Sequence, residues 1–547
     1  MNVGILLNDS NNCSYETYEI CKKCVENENL EKFYVFELVG EKLKKKDRLL
    51  LYFQKGIPWL IRSICFSSIS LIEEIIAKRF SKYNHFLEKY DLRVLNTKKI
   101  YFVKLDILFS PSGHLTWITN ENVHLLKNLN IEFLINSGGG IWKGDILNCA
   151  DKGIISFHHA DNYVNRGGPP GFWEVFYKSD LTGFIIQRLN ENLDNGEVIS
   201  RGYTTTQRFW KNNNLVNRNS ALREAKRIFE KILNGQEIEI QKRKFGIYSR
   251  RLYQTPLLNE IFIYVLSRLV FLITKFFMLS IKKKPIWETS FLLTNNWKNF
   301  ELRKGISIPS DKKRFQADPN LVKINKKYFI FVEDCNINSE KAEIKCYEIL
   351  KDKKSFKEIG SAINEKYHIS FPFTFKFKNR LYMSVESSSN KTINIYRNEG
   401  MPLNWEIVSQ DKFDSKIPVD PIIFYLNNNW WLIFGDDLSQ NEMYIYFSND
   451  PIDGEWKPHK SNPVYITSEY CRNAGLIIDQ GNYYRIAQQS GFNNYGKSMK
   501  IMRIKEITED FFLEEEVEYI LPHFDRKIKG VHTLTKCDDL LAFDYWY

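Results

Sequence analysis

ADPNLVKINKKYFIFVED, residues 317–334, decides the architecture of the second half of the chain. It opens on a small residue and an Asp-Pro pair, runs apolar, turns on Asn325 to Lys327, and runs apolar and aromatic again. Two short runs around such a turn predict a β-hairpin. The pattern returns as SFPFTFKFKNRLYMSVES (370–387), VDPIIFYLNNNWWLIFGD (419–436), RNAGLIIDQGNYYRIAQQ (472–489) and GVHTLTKCDDLLAFDYW (530–546). Pro319, Pro372, Pro421, Ala474 and His532 hold one position of the repeat. Tyr328, Leu381, Trp430, Tyr483 and Leu541 hold a second, nine residues on. Units recurring about every fifty residues have the length of a propeller blade. Five of them predict an all-β five-bladed propeller over 305–547.

Ahead of the repeats lies IFIYVLSRLVFLITKFFMLSI (261–281), followed by KKKP. Its length suits a bilayer, but Arg268 and Lys275 stand inside it, and a charge at mid-bilayer is costly. Seven residues apart, they share one face of a helix. Three readings stay open: a helix packed between domains, an interfacial helix with a basic stripe and peripheral membrane contact, and a true span. The segment 241–304 is read as a basic, apolar helical linker.

The first half alternates strands and helices. MNVGILL, IYFVKLDILF (100–109), IEFLINS (131–137) and IISFHH (154–159) read as strands. SYETYEICKKCVEN and NENVHLLKNL (120–129) have helical spacing, and IWKGDILNCADKG reads as a short helix closed by Gly153. LTGFIIQRLNENLDNGEVISRG (181–202) reads as two strands joined by a turn, in which Asp194 is first of all a hairpin aspartate. Alternation of this kind predicts a parallel, Rossmann-like α/β sheet over 1–240, whose ligands bind at the carboxyl ends of strands. Gly138 to Gly140 and Ser156 to His159 stand at such ends. The triple glycine marks a close backbone approach.

The chain has 547 residues, 43% hydrophobic and 15% aromatic, with a formal net charge of +11. The lysines are scattered and form no compact nucleic-acid motif, so no nucleic-acid partner is expected. Nine cysteines without regular spacing exclude a disulfide framework, and Cys21 and Cys24 read as one helix face; no metal is expected. MNVGILLNDS lacks the basic start and cleavage site of a signal peptide, so the expected compartment is the cytoplasm, with or without a peripheral membrane contact.

ISFHHADNYVNRGGPPGFW (155–173) ends a strand in titratable groups and then stiffens the next loop. Ser156-Phe157-His158, Arg166-Gly167 with Pro170 and Trp173, Thr182-Gly183 and Leu193-Asp194-Asn195-Gly196 resemble, in order and spacing, the catalytic domain of the folate-dependent formyltransferases. The resemblance implies an α/β Rossmann-like domain that transfers a formyl group from 10-formyltetrahydrofolate to an amine. It implies His158, Asp194 and Ser156 as catalytic groups: an imidazole stabilising the oxyanion and a carboxylate taking the proton. It implies His159, Arg166, Gly167, Trp173 and Thr182 around the substrate. The chain departs from the family at Ser156, where the family has Asn; a lost oxyanion donor costs ~3 kcal/mol, about a hundredfold in rate. A serine hydroxyl still donates one hydrogen bond.

The repeats, with ADPN, YHISFPFTF, LYMSVESS, PLNW and WWLIFGD, resemble the amino-terminal propeller domain of the glucosamine inositolphosphorylceramide transferase family and, more distantly, five-bladed glycoside hydrolases. The second resemblance implies that blade-start carboxylates, here Asp318 and Asp420, line the propeller cavity; the alternative is turn structure. Where those hydrolases open a Glu-Gly-Pro triplet with the general acid, this chain reads Arg472-Asn473-Ala474. An arginine protonates no leaving group but holds phosphate or carboxylate. The joint expectation is formylation of an amino sugar, or of a sugar carried on a nucleotide or lipid, in surface-glycan synthesis. The alternatives are a propeller-centred glycosidase or glycosyltransferase and a non-catalytic polysaccharide-binding scaffold.

Overall fold

The computed structural model describes residues 1–40, 56–95, 97–110, 114–191, 195–238, 240–241, 248–281, 286–311, 313–492 and 494–547. The chain divides into two compact units, Met1–Phe276 and Phe277–Tyr547.

In the first unit, apart from a two-residue pair of strands at Cys13–Ser14 and Lys89–Tyr90, the strands are β1 (Asn2–Leu7), β2 (Lys32–Val39), β3 (Ile100–Phe109), β4 (Leu115–Ile118), β5 (Ile131–Asn136), β6 (Ile141–Trp142), β7 (Ile154–His158), β8 (Leu181–Arg188) and β9 (Glu197–Thr205). They form one mixed sheet in the order β9-β8-β7-β5-β1-β2-β3-β4-β6. Its centre, β7-β5-β1-β2-β3, is parallel, and the β8–β9 hairpin adds antiparallel strands at one edge. The helices are α1 (Tyr15–Glu26), α2 (Ile57–Phe80), α3 (Asn120–Asn128), α4 (Phe172–Phe176), α5 (Trp210–Leu233) and α6 (Leu258–Ile281).

Central strands that run apolar without alternation are buried on both faces. Val3 and Ile5 of β1 and Phe133 of β5 pack with Ile20, Cys21 and Cys24 of α1 and Phe229 of α5. Leu6 and Leu134 pack on the other side with Val123 and Leu126 of α3. Ser14 caps α1 by accepting the Thr17 N–H at 3.3 Å. The Cys21–Cys24 pair is a fully buried helix face, and burial pushes the Cys24 thiol up to about 12. The stretch expected as a helix before Gly153 is instead β6 followed by a 3-10 turn, Gly144–Asn148. Gly144 sits at φ 76°, and too few residues remain to nucleate an α-helix. Gly138 is the close approach that the triple glycine announces: a Cβ there would lie 2.7 Å from Leu7 Cα.

α6 corrects the expected basic stripe. Arg268 is 8% exposed and turns inward, donating to the Arg208 carbonyl, with its guanidinium 5.1 Å from the Tyr264 ring. The outward face is apolar up to Ile273, beyond which Thr274 and Lys275 are exposed. Among the described residues, no helix is long and apolar enough to cross a membrane.

The second unit holds five antiparallel sheets, four of four strands and one, blade three, with Tyr465–Ile466 as a fifth, the blades of a five-bladed propeller. Blade one is Arg314–Ile324, Lys327–Asn336, Ala342–Ile349 and Phe356–Ile363, and blade two is Ser370–Phe377, Arg380–Ser387, Thr392–Asn398 and Trp405–Lys412. Blade three is Pro418–Leu426, Asn429–Asp436 and Glu442–Ser448, with an outer strand shortened to Lys457–Pro458. Blade four is Arg472–Asp479, Asn482–Gly491, Asn494–Ile507 and Phe512–Ile520. Blade five joins Leu534–Cys537 and Leu540–Trp546 to Trp287–Leu293 and Ile306–Ile308. The linker read as 241–304 therefore contains a propeller strand: Trp287–Leu293 pairs along Leu540–Trp546 and ties the two ends of the unit together. Ring closure protects the strand edges that an open array exposes.

Candidate functional site

In the propeller, Asp318 and Asp420 both adopt left-handed backbone, at φ 51°. Each sits where the register with the next strand slips, between Ala317 and Asn320 and between Val419 and Ile422. The bulge turns the aspartate amide toward a carboxylate on another blade: Asp318 N donates to Asp544 Oδ2 at 2.9 Å, and Asp420 N donates to Glu386 Oε2. Three blades thus contribute Asp318, Glu386 and Asp420, and a fourth supplies the cation. Arg472 grips Asp420 with two bonds, Nε to Oδ2 at 2.6 Å and a terminal nitrogen to Oδ1 at 3.2 Å. The Tyr495 ring lies 5.6 Å from that guanidinium, and the residue as a whole is 47% exposed. His532 stacks on Trp287 at 3.9 Å, with Nδ1 2.8 Å from Asp544 Oδ2 and Nε2 3.6 Å from Asp318 Oδ1. The structure brings the three predicted propeller residues into one cluster. Glu333, His532, Asp544 and Tyr495 belong to it as well, though only the position shared by Glu333 and Glu386, each fourteen residues after its repeat's proline, hints at any of them in the sequence.

Burial raises Asp318, Glu333 and Glu386. Asp318 is pushed up to about 6; burial, partly opposed by His532, is the main cause. Glu386 is pushed up to about 8 by burial and by the Asp420 charge. A carboxyl that stays protonated in the fold but ionises from 4.5 upward when unfolded binds more protons in the native state. Stability then falls as pH rises through that window. We expect the propeller's melting temperature to fall between pH 4.5 and about 8, and Glu386→Gln to flatten the fall. Identical slopes in both proteins would refute the assignment.

In the first unit, the carboxyl ends of β1, β5 and β7 open on a crevice of about 230 Å³, lined by Glu16, Thr17, Asn136, Ser137, Ser156 and His159 among others. Ser156 Oγ accepts from Asn136 Nδ2 at 3.2 Å, and Asn136 Oδ1 accepts from the Trp142 indole at 2.9 Å. His159 forms part of the wall. Burial holds its imidazole down at about 4, and its buried Nδ1 has no hydrogen-bond partner. Glu16 is paired with Arg218 on α5 through two hydrogen bonds. His158 points elsewhere, with Nε2 3.2 Å from the Asn165 carbonyl. Asp194 lies outside the described residues.

The loop residues serve the fold around them. Arg166 donates to the Asn162 carbonyl and to Asn195 Oδ1, each at 3.0 Å, and covers the Tyr248 ring at 4.5 Å. Gly167, at φ 93°, bridges to Tyr253, whose carbonyl oxygen would lie 2.2 Å from any Cβ. The buried Trp173 donates to the Gly168 carbonyl at 3.1 Å and carries the Arg251 guanidinium on its face at 4.3 Å. Thr182 is fully buried, 2.9 Å from Thr206 Oγ1 and bonded to Asn213.

The protein family described as glucosamine inositolphosphorylceramide transferase 1, N-terminal, matches residues 304–535. Glucosamine inositolphosphorylceramide transferase 1 of Arabidopsis thaliana is 31% identical over 223 residues, 39% of this chain and 28% of the relative. Its namesake in Oryza sativa subsp. japonica is 30% identical over 212 residues, 37% of this chain and 28% of the relative. The chain thus spans 28% of the length of these curated relatives. Among solved structures, the α-L-arabinofuranosidase catalytic domain of Coprinopsis cinerea aligns with a TM-score of 0.33 at 13% identity, covering 44% of this chain and 94% of that one. An arabinanase of Bacillus subtilis aligns at 0.30 and 13% identity, covering 40% and 90%. The names of the relatives overturn the expected enzyme type. Formyltransferase activity, and 10-formyltetrahydrofolate as its donor, are not carried over to this chain. The Ser156 hydroxyl, standing where those enzymes have Asn, is already engaged by Asn136. Over residues 304–535 the chain is similar to the amino-terminal part of the glucosamine inositolphosphorylceramide transferases.

Proposed function

We propose that the propeller is a sugar-recognition module serving a transferase that acts on a glycan or glycolipid. The observation that carries this reading is the Asp420–Arg472 pair beneath the exposed Tyr495 ring. A planar, bidentate ion pair offers both donors and acceptors to sugar hydroxyls, and an aromatic face beside it covers the apolar side of a pyranose. Arg472 speaks against hydrolysis led from that position, because a guanidinium has no proton to give a leaving group. The relatives' name brings glucosamine and a phosphorylated inositol to the candidate ligands.

For the first unit we read a doubly wound, Rossmann-like fold. Its five parallel strands run third, second, first, fourth, fifth along the sheet, with helices on both faces. That order reverses between β1 and β5, which is where such sheets hold ligands. The Ser156–His159 crevice opens there, and a neutral His159 with an unsatisfied Nδ1 suits a small polar ligand.

The test titrates the full chain with glucosamine and with myo-inositol 1-phosphate by calorimetry. Binding of at least one is expected. Tyr495→Ala is expected to weaken it about two- to tenfold at unchanged melting temperature, since a lost aromatic contact costs about 0.5–1.5 kcal/mol. Absence of binding to both, or equal affinity in the variant, rejects the propeller as the recognition module.

A further inference from the structure

α2 and α6 share an arrangement that the sequence pattern hides. Each turns a charged group toward the protein and a row of aliphatic groups away from it. On α2, Arg62 donates to the Thr255 carbonyl, and Glu73, 6% exposed, accepts from Tyr264 of α6 and from Lys211 N. On α6, Arg268 is bound inward as described. What faces out is aliphatic and aromatic: Ile64, Ile72 and Ile75 on α2, and Leu266, Leu269 and Ile273 on α6, are each about half exposed or more, at 49–59%. The sequence places no Asp or Glu anywhere in 57–72 or 261–276. Soluble surfaces rarely leave so long an apolar stripe uncovered, and here two helices present one.

The charges are also ordered. Arg62 is tied to the segment entering α6, and Glu73, further along α2, is tied to Tyr264, further along α6. The helices therefore run in the same direction, and their carboxyl-terminal parts lie toward one end. That end carries Lys78, Arg79 and Lys275, all exposed. Arg208 joins them, its guanidinium 3.8 Å over the Phe271 ring. An apolar strip with cations at its edge, where the one partly exposed acid, Glu74, is paired with Lys78 at 3.3 Å, matches a lipid surface: side chains enter the acyl boundary while lysine and arginine reach anionic headgroups. A second copy of the same face would bring only Glu74, already paired with Lys78, to meet those cations.

We propose that the outward faces of α2 and α6 form a membrane-docking surface that rests on an anionic leaflet without crossing it. The inference is independent of the sugar-recognition reading. The full chain is sedimented with vesicles of phosphatidylcholine alone and of phosphatidylcholine with 30% phosphatidylglycerol. Most of the protein is expected to pellet with the anionic vesicles at low salt, and several-fold less with the neutral ones. Ile72→Glu combined with Leu269→Glu is expected to lower partitioning at least tenfold, with an unchanged melting curve as the control for folding. Lys78→Glu, Arg79→Glu and Lys275→Glu together leave the apolar face intact and are expected to erase the preference for anionic vesicles. The proposal is overturned if the parent chain stays in the supernatant, if either variant partitions like the parent, or if the strip instead holds a dimer that Ile72→Glu with Leu269→Glu dissociates while vesicle binding is absent.

Discussion

Glu514→Ala lowers the stability of the propeller unit by about 3–5 kcal/mol, the cost of leaving a buried charge without its partner. Arg485 and Glu514 join the second and fourth strands of blade four, and both side chains are 0% exposed. Arg485 Nε donates to Glu514 Oε2 at 2.9 Å, a terminal nitrogen donates to Oε1, and another reaches Asn473 Oδ1 at 3.2 Å. Arginine does not discharge by losing its proton, so removing the carboxylate strands a full positive charge among apolar neighbours. The double replacement Arg485→Met with Glu514→Leu removes both charges and is expected to recover most of the loss. Urea denaturation of the full chain, followed on the propeller transition, measures both. A loss below about 1 kcal/mol in Glu514→Ala would mean that water reaches the pair.

Arg472→Met has a second large effect, and its size depends on pH. The variant leaves Asp420 beside Glu386 and Asp318 with its bidentate cation gone. At pH 8, where the acids of the cluster are most ionised, the loss is about 3–5 kcal/mol. As pH falls toward 5, Asp318 and Glu386, raised by burial to about 6 and about 8, take up protons and cease to repel the Asp420 carboxylate. The deficit therefore shrinks on acidification. Thermal melts of parent and variant at pH 8 and pH 5 give the comparison. A deficit of equal size at both would show that Arg472 acts by packing alone.

The blades were legible because each hairpin is a local object. Apolar alternation, a turn of Asn, Asp, Gly or Lys, and a recurring anchor fall within eighteen residues or so, and repetition multiplies a weak signal. The closing strand Trp287–Leu293 was not legible, because its partner Leu540–Trp546 lies at the other end of the unit and only pairing relates them. Arg472 stood out as an arginine in an acid's place, yet its bond to Asp420 joins residues 52 apart. Residue types at the blade starts could be read from the sequence. The raised pKa values of Asp318 and Glu386 could not, because burial sets them.

In the first unit, the parallel centre of the sheet followed from the alternation of strands and helices, and the hairpin of β8 and β9 from the Asn-Gly turn. The resemblance of the Ser156–Gly196 run pointed to a reaction that the relatives' names do not support.

By itself, then, the sequence determined what is periodic: the five blades, the parallel centre of the first sheet, and which residues of each helix share a face. Only the tertiary structure decided which way those faces look. A helical period of 3.6 places Arg268 and Lys275 on one side but carries no information on whether that side meets protein or solvent. The outcome was set by what stood opposite, the Arg208 carbonyl, Tyr264 and Glu73, which gave Arg268 its partners inside and left the aliphatic side of α6 outside.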